Sequence, residues 1–121
     1  MSTELDPFEV VYFEGETGKL PKPRDFLATC PTSVKAKFFA VLKAVSEAPP
    51  PKFSGGGYWE AMHGDMAGWY EIRLSGPGRE QFRVFCVLRS SQLVVVTGLR
   101  KRIGAVFDRR DYERVRALEI F

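Results

Sequence analysis

The chain has 121 residues, 45% of them hydrophobic and 27% charged, with two cysteines and one histidine. That length predicts one domain, residues 1–121, whose core needs no staple, and that composition excludes disordered and fibrous classes. No apolar run approaches the roughly 18 residues of a membrane span, and the acidic start MSTELDPFEVVYFE lacks the basic-then-apolar order of a signal peptide.

The expectation is a cytoplasmic protein with no membrane partner and with reduced thiols. Cys86 lies mid-strand on an apolar face and behaves as a small hydrophobe. The formal net charge of +3 is unevenly spread. Residues 1–68 hold seven Lys/Arg against nine Asp/Glu, whereas residues 69–121 hold eleven against six, and ten of those eleven cations are arginine. Arginine's planar fork suits bidentate phosphate binding, so the asymmetry hints at an anionic partner.

In chain order, the β-branched and aromatic run Phe8 to Glu14 predicts a first strand, ended by Gly15 to Gly18. Asp25 to Cys30 reads as a helical turn between prolines. From Thr32 to Ala48, Val34, Phe38, Val41, Leu42 and Val45 recur at three- and four-residue spacing, the mark of an amphipathic helix. Pro49, Pro50 and Pro51 end it. Residues 49–68 read as a long loop holding Gly55 to Gly57, Tyr58, Trp59 and His63. Strands follow at 69–75, 81–89 and 92–99, and a last helix runs from an Asp108 N-cap to Leu118. The predicted order is β-α-α-β-β-β-α. That order gives an α+β fold with an antiparallel-rich sheet of about four strands and the helices gathered on one face.

Alternation of side chains puts Glu71 and Arg73 on one face of their strand. If Ser75 pairs with Gln81 across the Gly76 to Glu80 turn, Arg73 falls opposite Arg83. Like charges directly opposite are destabilising, so an anion between them is expected, and phosphate is the obvious one. A single histidine and two distant cysteines make no metal constellation, and no Gly-rich nucleotide loop is present. No metal or cofactor is therefore expected.

Three segments together resemble the RelE/ParE toxin superfamily, in its HigB-like, phage-derived branch. They are His63 to Gly68 leading into Trp69-Tyr70-Glu71-Ile72-Arg73, then Phe82-Arg83-Val84-Phe85, then Gly98-Leu99-Arg100-Lys101-Arg102. They match the branch's W-E-L-R, Y-R-V-F and G-F-x-K-K strands, and the resemblance covers roughly residues 8–118. It implies a RelE-like fold and the toxin of a type II toxin–antitoxin pair. Such a toxin cleaves mRNA on translating ribosomes without a metal, and a helix-turn-helix antitoxin of the Xre type neutralises it.

Carried over position by position, Arg73 matches a catalytic basic residue, Arg83 the arginine that holds the scissile phosphate, and Lys101 or Arg102 a further cation. Phe107 stands where RelE-type toxins place a tyrosine, and Glu71 where RelE has a lysine. Arginine stays protonated, so Arg73 and Arg83 are cast as electrostatic stabilisers. Glu71 is the nearest candidate base, with a plain ion pair to Arg73 as the alternative. Lys101 supplies a proton only if the like charges of Arg100 and Arg102 favour its neutral form. Arg79, Arg100, Arg102 and Trp69 are the candidate RNA contacts, and Tyr58 and Trp59 are further rings able to stack on bases. Two other readings remain. One is a ParE-like inhibitor of a protein such as DNA gyrase; the other is a degenerate phage-derived protein that only binds RNA or an antitoxin.

Overall fold

The structure, a computed structural model, describes residues 7–48 and 57–120. Strand β1 (Glu9–Tyr12) is followed by helices α1 (Pro23–Thr29) and α2 (Thr32–Glu47). Then come β2 (Trp59–Ala61), β3 (Trp69–Ser75), β4 (Gln81–Arg89), β5 (Gln92–Lys101) and the last helix, α3 (Arg109–Arg116). The expected proline stop at 49–51, and Gly55 and Gly56, lie outside the described residues.

The α+β class stands, but the sheet has five strands in the order β1-β5-β4-β3-β2 rather than about four. The additional strand, β2, lies inside the stretch read as a loop. It is three residues long and buries only Trp59, so it is too short for alternation to show in the sequence. β1 pairs with β5 in parallel, and the other three ladders are antiparallel.

The helices do not gather on one face. α1 and α2 cover one side, where Phe26, Phe38, Leu42 and Val45 pack on Ile72, Leu74, Phe82, Val84, Cys86 and Val95. α3 covers the other, where Val115 meets Trp69, Phe85, Val87 and Val96. The sequence carries the reason. β4 and β5 contain the near-continuous apolar runs VFCVL and LVVV, which suit strands buried on both faces. Both cysteines are buried free thiols, and burial pushes the Cys86 thiol well up.

α2 takes its predicted face, with Val34, Phe38, Val41, Leu42 and Val45 all buried. α3 begins at the predicted cap. Asp108 accepts from the Arg110 and Asp111 amides, and the Asp111 carboxylate accepts from the Asp108 amide in return, a reciprocal capping box.

Two backbone positions carry testable consequences. A Cβ at Gly98 of β5 would run into the ring of Phe26 on α1, so close approach of helix to sheet requires a glycine there. Gly98→Ala is expected to cost about 1–3 kcal/mol in a urea titration through overpacking. The β4–β5 hairpin turns through Ser90 and Ser91, both at positive φ (47° and 66°), the conformation that Asn-Gly turns favour. Replacing the pair with Asn-Gly is expected to raise the unfolding midpoint, with a gain of about 1 kcal/mol.

Candidate functional site

The register confirms Arg73 opposite Arg83, and Ser75 opposite Gln81, on β3 and β4. On the other side of β3, Glu60 of β2 lies opposite Glu71. Two like-charged pairs therefore sit in neighbouring rungs, and their diagonals join opposite charges. Arg73 Nη1 is 3.2 Å from Glu60 Oε1 and 4.0 Å from Glu71 Oε1, and Arg83 Nε is 3.9 Å from Glu71 Oε2. An anion is indeed set against the arginines, but it is the protein's own carboxylates, including the Glu71 ion pair named as the alternative, rather than the phosphate that seemed the obvious candidate. Burial deepens along the lattice. The side chains of Glu60 and Arg73 are about half exposed, that of Arg83 is 15% exposed, and that of Glu71 only 6%.

α3 closes the lattice from above. The Tyr112 hydroxyl donates to Glu71 Oε2 at 3.4 Å, with the Tyr112 ring edge-on to Phe85. The Arg83 guanidinium lies 4.5 Å from the centre of the Phe107 ring, a cation–π contact, and Arg83 Nη1 donates to the Phe82 carbonyl at 3.0 Å. The aromatic residue at 107 thus acts as a platform for Arg83. The tyrosine hydroxyl near the cluster comes instead from Tyr112, five residues on. Among the described residues, buried Arg83 Nε has no hydrogen-bond acceptor, because Glu71 stands too far away for one.

Burial raises the Glu71 carboxyl above the usual carboxylate range, and the charges of Arg83 and Arg73 only partly offset that. Burial likewise raises the Tyr112 hydroxyl, with the Glu71 charge adding to it. A carboxylate poised above its ordinary range, beside two fixed cations, has the properties of a general base next to charge stabilisers. The cleft that Glu71, Tyr112 and Glu60 help to line has a volume of about 400 Å³, and it extends past His63 to Arg109 and Arg116.

The other candidates are placed as follows. Lys101 is held at 3.3 Å by the buried Asp111 of α3, which also binds Arg114 at 2.7 Å. Arg100 projects from the α1 side of the sheet, the face away from Glu71. It makes a two-point contact with Glu80 at 2.8 and 2.9 Å, and a hydrogen bond to the Thr29 carbonyl. Arg79 is exposed in the turn before β4, and Arg102 is exposed just beyond β5. Trp69, expected to contact RNA, is 1% exposed in the core beneath α3, so its ring presents no face to a base. Of the three rings able to stack, only Tyr58 is exposed, at 38%.

No protein-family model, curated protein or solved structure matches this chain. Two members of the lattice escaped the sequence reading. Glu60 stood in what looked like a loop, and Tyr112 lay within the last helix, which had no assigned contact with the arginine strands. The only available signal for Tyr112 was its helical spacing from Val115, which aims a polar tip at the same sheet face.

Asp111 differs from Glu71 in sign. Burial alone would raise its carboxyl, but hydrogen bonds from the Asp108 amide, Lys101 and Arg114 outweigh that and hold it low. A depressed folded-state value contributes stability that is present above the unfolded-state value and lost as pH falls through the folded one. Asp111→Asn is therefore expected to cost about 2–4 kcal/mol at pH 7, by weakening the reciprocal half of the capping box and removing the buried carboxylate that pairs with Lys101 and Arg114. In urea titrations the cost should shrink toward pH 3, and a pH-independent loss would contradict this assignment.

Proposed function

We propose that this protein is the toxin of a type II toxin–antitoxin pair, an endoribonuclease that cleaves mRNA on ribosomes and is neutralised by a separately encoded helix-turn-helix antitoxin. The observation that carries the reading is Glu71, a buried carboxylate with a raised pKa, set between two guanidinium groups beside an open cleft. The arginine-rich second half of the chain and the motif resemblance support it.

In this reading the Glu71 carboxylate takes the proton of a ribose 2′-hydroxyl. The 2′-oxygen forms a bond to phosphorus as the bond to the 5′-oxygen breaks, and that oxygen is protonated from solvent. Arg73 and Arg83 stabilise the charge that develops on the phosphoryl oxygens. Tyr112 orients the Glu71 carboxylate through its hydroxyl, and the Phe107 ring steadies Arg83. Lys101, tied to Asp111, belongs to the scaffold that fixes α3 over the sheet.

Expressed without a partner, the wild type should arrest growth and cleave mRNA in a ribosome-containing extract. Arg83→Ala and Glu71→Gln should each slow cleavage by about a hundredfold or more. Intact mRNA with the wild type, or undiminished cleavage by both variants, would contradict the assignment.

A second reading is favoured by one observation: both arginines already have carboxylate partners within the fold. On that basis the protein acts as a ParE-like inhibitor that binds a protein target and leaves RNA intact. A DNA gyrase supercoiling assay run beside the mRNA assay separates the two.

A further inference from the structure

Two clefts flank the charge lattice, and their linings differ in sign. The cleft toward α3 carries four carboxylates, those of Glu60, Asp65, Glu71 and Glu113, against the cations Arg109 and Arg116. The cleft on the opposite side has a volume of about 640 Å³. Its lining includes Lys37, Tyr58, Arg73, Ser75, Gln81 and Arg83, and no carboxylate among the described residues. A polyanion is held more strongly by the second than by the first, where Arg109 and Arg116 offset only part of the carboxylate charge.

We propose that this second cleft seats one nucleotide of single-stranded RNA. Its base lies on the Tyr58 ring, and its phosphate lies between Lys37 and Arg73, next to the position where Arg83 meets the scissile group. This rests on the endoribonuclease reading above and adds the subsite that holds the strand.

Several features build that subsite. The Arg73 amide donates to the Tyr58 carbonyl at 2.9 Å, which fixes the tyrosine backbone beside the exposed guanidinium. Lys37 Nζ, reaching from α2, stands 4.6 Å from the centre of the Tyr58 ring. That contact holds the lysine at the cleft and orients the ring of a residue that is 38% exposed. Trp59 and Trp69 are 5% and 1% exposed, so Tyr58 alone of the three has a face to offer. The Ser75 hydroxyl accepts from Gln81 Nε2 at 3.0 Å, which leaves its own proton free to donate to a phosphate oxygen. A ring for the base, with two cations and a hydroxyl for the backbone, forms the pattern of single-strand recognition, and Arg73 meets the strand while also paired with Glu60 at 3.2 Å.

The test is fluorescence anisotropy with a labelled single-stranded RNA whose riboses are all 2′-O-methylated, so that no 2′-hydroxyl attack can occur. Tyr58→Ala should weaken binding about tenfold or more, and Tyr58→Phe should bind like the wild type. Lys37→Ala should weaken binding and reduce the slope of log affinity against log salt by about 0.7, as for one lost phosphate contact. Arg109→Ala, in the other cleft, should leave binding unchanged. Melting curves on the same samples show that each variant is folded. If the wild type binds while Tyr58→Ala and Lys37→Ala bind equally well, or if Arg109→Ala is the variant that loses affinity, the subsite is wrong and the endoribonuclease reading survives. A wild type that cleaves nothing in the mRNA assay and binds no RNA here overturns both.

Discussion

The structure turns on a small square of charge set across β2, β3 and β4. Glu60 faces Glu71 and Arg73 faces Arg83, so each rung taken alone is repulsive. Only together do they become favourable, because every diagonal that closes joins a carboxylate to a guanidinium. Such an arrangement is cooperative. Removing any one corner leaves a like-charged rung with one counter-charge fewer, and removing Glu71 leaves the mostly buried Arg83 without its carboxylate partner. The square therefore both stabilises the edge of the sheet and concentrates unsettled electrostatics at one place.

The rest of the fold keeps that place in position. α1 and α2 bury one face of the sheet and α3 the other, leaving β3 with apolar residues on the α2 side and Glu71 and Arg73 on the α3 side. α3 itself is short, eight residues, and is anchored at its start rather than by length. Its anchors are the Asp108–Asp111 capping box, the ion pairs of Asp111 with Lys101 and Arg114, and the packing of Val115 on Phe85 and Val87. Through those anchors Tyr112 is aimed at Glu71 and Phe107 at Arg83. Residues remote from the cluster thus determine how its carboxylate is solvated, and solvation sets its proton affinity.

Much of this was legible in the residues before any coordinates. Helix α2, the three long strands, the Asp108 cap and the Arg73–Arg83 register all follow from strong local signals: periodicity, turn chemistry and capping. What escaped detection lacked such signals. β2 is three residues with a single buried side chain, and without it Glu60 had no known neighbour, so Glu71 was the one carboxylate in view for the arginine pair and phosphate the obvious further anion. The placement of α3 against the second sheet face was written in the doubly apolar runs of β4 and β5, which alternation rules alone read as one-sided. Trp69 and Arg100 show the limit from the other side. Residue type suggested a nucleic-acid surface, but alternation of facing carried one into the core and the other to the α1 side of the sheet.

The square also explains how one site can sustain two functional readings. With Glu71 ionised, the arginines are matched inside the protein, and the surface offers a partner a balanced, largely neutral patch. With Glu71 protonated, Arg83 loses its carboxylate partner while Arg73 keeps Glu60. Which behaviour prevails depends on how readily that carboxyl takes up a proton, and burial pushes it in that direction. The most direct test is a carbon-13 NMR titration of the Glu71 side-chain carboxyl in the folded protein, assigned by comparison with Glu71→Gln. The account predicts a midpoint above the ordinary glutamate value of about 4.3, shifting further upward in Arg83→Ala. A midpoint at or below that ordinary value would contradict it, since Glu71 would then be a permanently ionised ion-pair partner.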